Sequence, residues 1–197
     1  MKSFNKQFGK KLTHIDQVIR TVFENYTIYI VAFDDLQFSG VKITAPRVGL
    51  CAPNITLVNS NVEVSNRGCK SSMGRGLGVA TKGCGGSGGS HGGTGGYGGV
   101  EPKNHLRQNR CKAHFPRPYY YGREARFEGS GGARKGGGAG GGILWLSTTG
   151  TIVLNNSKLA ADGENGRVDT KNETMLGSGG GAGGSIQFIC KNLKGDG

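Results

Sequence analysis

The chain has 197 residues and a formal net charge of +12, and 39 of its residues are glycine. That length suits one domain with its own core. The charge favours anionic partners, with a basic but otherwise ordinary surface as the plainer reading. The longest apolar run, Ile28 to Phe33, is far too short to cross a bilayer, so no membrane span is expected in this segment.

The opening, MKSFNKQFGKK, is polar and charged, with no apolar core of a signal peptide. In residues 12–23, LTHIDQVIRTVF, the apolar positions fall at helical spacing, and Thr13 with Asp16 makes a capping box. Residues 1–26 are therefore expected to form an N-terminal cap, a helix by its spacing; an irregular extra coil is the rival reading.

Residues 27–82 read as strands. In VKITAPRVGLCAPNITLVNSNVEV (41–64) the pairs Val41/Ile43, Val48/Leu50, Ile55/Leu57 and Val62/Val64 repeat every seven residues. Within each pair the period is two, the mark of a short strand with one buried face. Pro46 and Pro53 would break a heptad coiled coil. Three such sides predict a solenoid turn of about 21 residues. Ile28/Ile30 and Leu36/Phe38 fit the pattern more loosely.

Residues 83–142 depart from it. The tract GCGGSGGSHGGTGGYGG (83–99) is disordered on composition alone unless neighbouring chain pairs its backbone. From Gly85 it parses in threes, with one inserted histidine, and three residues per turn is the repeat of a polyproline-II helix. Ser87, Ser90, Thr94, Tyr97 and Val100 would then lie near one face. The sister tracts 129–142 and 177–184 are the expected partners, with a flexible linker as the alternative.

Segment 103–135 holds nine basic residues: Lys103, Arg107, Arg110, Lys112, Arg117, Arg123, Arg126, Arg134 and Lys135. Phe115, Tyr119, Tyr120, Tyr121 and Phe127 lie among them. Arginine interleaved with aromatics suits sugar rings and acidic glycans, or nucleic-acid bases. The plain alternative is an insertion whose aromatics pack on the solenoid. Arg107, Arg110, Lys112, Arg117, Tyr119, Tyr120, Tyr121, Arg123 and Arg126 are the candidate binding set.

Residues 143–197 return to strands, with inward pairs expected at Ile143/Trp145, Ile152/Leu154, Leu159/Ala161 and Ile186/Phe188, and then at Leu193. GGGAGGGI (136–143) recurs as GGGAGGSI (179–186), an offset of 43 that predicts a separation of two solenoid turns. The ending KNLKGDG reads as cut inside a repeat, so the expectation is a segment of a longer parent chain.

Five cysteines cannot all pair internally. Cys51, Cys69, Cys84 and Cys111 are the disulfide candidates, with Cys190 left over. Cys111-x-x-His114 lacks the second half of a zinc site, so no metal or other cofactor is expected. Four N-x-[S/T] triplets, at Asn25, Asn54, Asn155 and Asn172, are glycosylation candidates. With the cysteines they point to an extracellular or cell-surface setting.

The segments APRVGLCAPNITLVNSNVEVSNRGC, GCGGSGGSHGGTGGYGG, EGSGG, GGGAGGGILWL and LAADGENG resemble large glycine-rich surface proteins of protists and plants with pectin-lyase-like parallel β-helix repeats. The resemblance covers residues 40–197. It implies a cell-surface repeat domain, and no particular activity.

No catalytic constellation emerges. Asp34-Asp35 is the one acidic pair, and adjacent strand residues point to opposite faces. A carbohydrate-active site would need Asp34, Asp35, Glu63 and Glu101 gathered on one face. Ser90-His91 lacks an acidic orienter and the nucleophile-elbow pattern. Asp162 and Asp196 precede glycines and read as turn caps. The expected fold is all-β: a right-handed parallel β-helix with glycine-rich insertions and the N-terminal cap. The expected role is a non-enzymatic structural or adhesive scaffold that contacts glycans or other copies of itself. A carbohydrate-active or polysaccharide-binding domain is the first alternative, and nucleic-acid binding through 103–135 the second and weaker one.

Overall fold

The computed structural model describes residues 27–74, 77, 78, 80, 85–91, 131, 132, 137–167 and 177–195. The expected cap at 1–26 lies outside them, as do 92–130. The described residues contain eleven β-strands and no α-helix.

The strands fall into four tiers. The first holds β1 (Thr27–Val31), β2 (Leu36–Ser39) and β3 (Lys42–Thr44). The second holds β4 (Arg47–Ala52), β5 (Ile55–Val58) and β6 (Asn61–Glu63). The third holds β7 (Ile143–Thr148), β8 (Thr151–Asn155) and β9 (Lys158–Ala160). The fourth holds β10 (Ser185–Ile189) and β11 (Asn192–Gly195). The first three tiers each contribute one strand to each of three sheets, and the fourth tier, among the described residues, contributes to the first two: β1-β4-β7-β10, β2-β5-β8-β11 and β3-β6-β9. All pairings are parallel. An all-β chain of parallel strands in stacked sheets is compatible with a β-solenoid.

The core is a set of columns running through the tiers. Ile28 and Ile30 lie in register with Val48 and Leu50, then Leu144 and Leu146, then Ile186 and Phe188. On the second sheet Leu36 and Phe38 stand beneath Ile55 and Leu57, then Ile152 and Leu154. Leu50, Ile55, Leu57, Leu144, Leu146 and Ile152 have no solvent exposure. Each such side chain stabilises the fold by about 1.5–3 kcal/mol through burial.

The tier length differs from the seven-residue expectation. Leu36 pairs with Ile55 and Lys42 with Asn61, a step of 19, and Thr27 pairs with Arg47, a step of 20. A turn of 21 would have set Val41 beneath Val62, where Ile43 stands. In the second and third sheets the shift of two residues keeps the alternation in phase, so their inward faces are unchanged. The offset of 43 predicts a separation of two turns. In the structure Ile143 pairs directly with Ser185, so the two glycine tracts lead into adjacent tiers. That pairing is 42 residues long, one fewer than the motif offset, and the odd difference inverts the face. Leu144 and Leu146 point inward in β7, and Ile143 and Trp145 do not.

The corners also stack. Between the second and third sheets the backbone is left-handed in three successive tiers, at Gly40 (φ 67°), Asn59 (φ 48°) and Asn156 (φ 44°). Glycine and asparagine are the residues that tolerate this conformation. Asn156 Nδ2 donates to Asn59 Oδ1 at 2.7 Å. One residue on, the Val41 N–H donates to Ser60 Oγ and the Ser60 N–H to Ser157 Oγ.

The glycine tracts form a backbone-bonded bundle beside the tiers. Residues 177–184 run through it with three neighbours. Gly86 and Gly89 donate to the carbonyls of Gly177 and Gly180. Gly138 and Gly141 donate to those of Gly179 and Ala182. Ser178, Gly181 and Gly184 donate to the carbonyls of Arg167, Glu164 and Ala161. Every array advances three residues per bond, the step of a polyproline-II helix, and each uses a different face of 177–184. A Cβ on Gly179 would fall on the Ser87 carbonyl oxygen. Ser87 and Ser90, three apart, are both buried, in line with the three-residue rhythm read from the tract. Thr94, Tyr97 and Val100 lie outside the described residues.

Candidate functional site

The whole binding set expected from sequence lies outside the described residues: Arg107, Arg110, Lys112, Arg117, Tyr119, Tyr120, Tyr121, Arg123 and Arg126. The described surface offers a different aromatic feature, on the outer face of the first sheet. Tyr29, Gly49, Trp145 and Gln187 occupy one register line across the four tiers. The rings of Tyr29 and Trp145 stack with centroids 5.8 Å apart and planes 17° from parallel.

Gly49 makes the stack possible. It lies under both rings, and a Cβ there would collide with the Tyr29 ring and touch Trp145 Cε3 at 3.6 Å. Tyr29 remains 54% exposed. Trp145 Nε1 is buried without a hydrogen-bond partner among the described residues. Val31 and Ile189 are exposed on the same face, at the first and last tiers. The result is a stacked aromatic pair with an exposed tyrosine, suited to stacking against another flat face. The sequence signal was ambiguous here. ILWLST carries apolar residues in both phases, and the structure turns the phase holding Trp145 outward, against the inward pairing of Ile143 with Trp145 expected from sequence.

The acidic residues are spread out. Asp34 and Asp35 lie in the corner between β1 and β2, where Asp35 Oδ1 accepts from Asn54 Nδ2 at 2.9 Å. Glu63 is on β6 in the third sheet, beside Lys42 Nζ at 3.6 Å. Glu101 is outside the described residues. Glu164, in the glycine bundle, accepts from the Ala139 N–H and from Arg167 Nη2. Those two bonds, the backbone one foremost, hold its carboxyl below the ordinary glutamate value. Asp162, expected to cap a turn, instead bonds to the neighbouring tier: its carboxylate accepts from Ser65 Oγ and its N–H donates to the same oxygen. No group of three or more metal-ligating side chains occurs among the described residues.

Ser90 and His91 have different surroundings. Ser90 is buried, and His91 Nε2 lies 2.8 Å from Ser185 Oγ at the start of β10. This contact pins the tract 85–91 to the fourth tier.

Two glycosylation candidates are described. Asn54 is committed within the fold: its Nδ2 donates to Asp35, and its Oδ1 accepts from the Thr151 N–H at 2.8 Å, joining three tiers. Asn155, at the end of β8, is exposed. Asn25 and Asn172 lie outside the described residues. Cys51, a pairing candidate on the outer face of β4, carries a free thiol, as does Cys190. The Cys69 carbonyl accepts from the Gly140 N–H. Cys84 and Cys111 lie outside the described residues.

No helix among the described residues is long and apolar enough to cross a membrane. Compared with protein-family models, with curated proteins and with solved structures, the chain has no match in any of the three.

Proposed function

We propose that this chain is a non-enzymatic structural or adhesive segment of a right-handed parallel β-helix, in a cell-surface or extracellular-matrix glycoprotein. One observation carries the reading. The same column of residues is repeated in tier after tier, with polar side chains spent on holding the corners together. Asn54, Asn59, Ser60, Asn156 and Ser157 bond between tiers or cap them. A molecule whose polar groups are used this way serves as a stiff spacer and presents its outer faces for contact. Hydrogen exchange tests the spacer role. The amides of β4, β5, β7 and β8 should exchange together and slowly, as one cooperative unit. Independent, fast exchange tier by tier would exclude a rigid scaffold. Release of new reducing ends or unsaturated products from acidic polysaccharides would replace it with an enzyme.

A second reading rests on the Tyr29–Trp145 stack. In it the outer face of the first sheet contacts polysaccharide through the exposed phenol ring. Tyr29→Ala should then weaken retention of the chain on immobilised glycans at least several-fold without changing its unfolding midpoint by more than the stack itself accounts for. Undiminished retention would remove this reading.

A further inference from the structure

The inward side chains of the first tier are buried, although no described strand lies beneath them. We propose that residues 1–26 close this end as an intramolecular cap, seated on Leu36, Phe38 and Ile43 through the apolar stripe of residues 12–23. This rests on the scaffold reading and adds to it a closed end, one that takes no strand from another copy.

Among the described residues, β1, β2 and β3 each stand at the end of their sheet, with β4, β5 and β6 as their partners. A core side chain at such an end has tier neighbours on one side, and its other side meets solvent unless something covers it. Yet Leu36 is 5%, Phe38 4% and Ile43 1% exposed. Ile28 and Ile30, on the first sheet, are only half-buried, so the cover lies over the second and third sheets. The described residues do not supply it. The N–H groups of Ala32, Leu36, Gly40 and Ala45 donate to the carbonyls of Cys51, Asn54, Val58 and Glu63, all in the second tier. The apolar side chains packed with Leu36, Phe38 and Ile43 belong to the tiers and their corners. The glycine bundle reaches the tiers at Val64 and Ser185, in the second and the fourth.

Residues 1–26 lead directly into Thr27, the first residue of the first tier. The other long stretches outside the described residues are held elsewhere at both ends. Residues 92–130 leave from His91, bonded to Ser185 in the fourth tier, and return at Gly131, bonded to Met73. Residues 168–176 leave and return within the glycine bundle, where Arg167 and Ser178 bond to each other. The N-terminal segment also has the chemistry of a cover. Leu12, Ile15, Ile19 and Val22 fall on one face at helical spacing. At helical rise residues 12–23 span about 18 Å, the length of a single strand and so one side of a tier. Such a stripe buries its own apolar side chains and those of β2 and β3 in one contact. It also shields the backbone groups along that strand edge, which would otherwise template a further strand. Solenoid ends require a cover of this kind.

Photo-cross-linking on the full chain tests the seat. With Ile19 replaced by benzoylphenylalanine, mass spectrometry should find links to residues 36–45. Links confined to the outer face of the first sheet, at Tyr29, Val31 or Trp145, or no link to the first tier at all, would overturn the proposal. Hydrogen exchange tests the closure. The amides of Leu36, Gly40 and Ala45, which bond to the second tier, should exchange slowly in the parent. Ile15→Glu combined with Ile19→Glu should speed them roughly tenfold or more and leave β7 and β8 unchanged. Gln17→Glu, off the stripe, should change neither. The double variant should also associate more strongly than the parent in sedimentation velocity, since its first tier is uncovered. Unchanged protection in the double variant would overturn the cap and leave the scaffold standing, and equal association would overturn the closed end. Fast exchange throughout the parent would overturn the scaffold itself. Should the double variant unfold outright, the cross-link from position 19 still decides.

Discussion

Tyr29 and Trp145 stack across Gly49, so an aromatic contact on the first sheet joins the first and third tiers over a second tier that supplies no side chain. The glycine is a spacer set by its neighbours' rings, since no positive φ demands it. Gly49→Ala should push the Tyr29 ring off Trp145 and cost about 1 kcal/mol, the worth of an aromatic pair. In a Tyr29→Ala background the same change should cost much less, because the clash is gone. Urea unfolding of the four proteins measures this. Additive losses would show that Gly49 matters for some other reason.

The glycine bundle predicts a sharper contrast. A Cβ at Gly179 meets the Ser87 carbonyl, which is backbone and cannot swing aside, whereas a Cβ at Gly177 meets nothing within 4 Å. Gly179→Ala should cost about 3 kcal/mol, at the upper end for overpacking. Gly177→Ala should stay within about 0.5 kcal/mol of the parent. Equal effects in thermal melts would mean that the bundle does not contribute to the cooperative unit.

Gly40 is open to solvent space but has φ 67°, so its replacement is limited by backbone alone. Gly40→Asn should be nearly neutral, since asparagine already holds the same corner at Asn59 and Asn156. Gly40→Val should cost about 1–2 kcal/mol, the penalty of a left-handed L-residue. A neutral valine would argue against a left-handed corner in the first tier.

Asn54 bonds to the tiers on either side, and Asn155 is exposed. Asn54→Ala should therefore destabilise the chain by about 1–3 kcal/mol, leaving the Thr151 N–H without its acceptor. Asn155→Ala should change stability by less than about 0.5 kcal/mol. A glycan on Nδ2 of Asn54 would compete with the Asp35 bond, so a folded, glycosylated chain should carry sugar at Asn155 in preference to Asn54. Intact-glycopeptide mass spectrometry of chain expressed through a secretory pathway decides this.

Glu164 ties 137–142 to 161–167 through the Ala139 N–H and Arg167. Its carboxyl is held below its unfolded value, so the folded state binds that proton less readily. The stabilisation is then fully present above the ordinary glutamate range and is lost as pH falls through the lower, folded value. Unfolding midpoints of Glu164→Gln and the parent should differ at neutral pH and converge in acid. A constant gap down to strongly acid pH would show that ionisation of Glu164 is not involved.

Much of this was legible in the chain itself. Alternating pairs bounded by proline and asparagine imply short strands, since only one face of each is apolar and a helix cannot hold Pro46 or Pro53. The three-residue rhythm of 85–91 likewise implies the step of its backbone bonds, because without side chains the backbone is all there is to pair. Which apolar phase faces the core was not legible at 143–148, where Leu144/Leu146 and Ile143/Trp145 are equally hydrophobic. The parity there is chosen by pairing with Val48 and Leu50, which lie some hundred residues earlier. The tier a strand joins was equally beyond local pattern: the 43-residue repeat spans one tier, and between β9 and β10 residues 161–167 and 177–184 bond in the glycine bundle. Local chemistry thus determined the strands and their alternation. Register, tier order and the outward turn of Trp145 were decided by long-range backbone pairing, the interaction that sets which of two equivalent faces is buried.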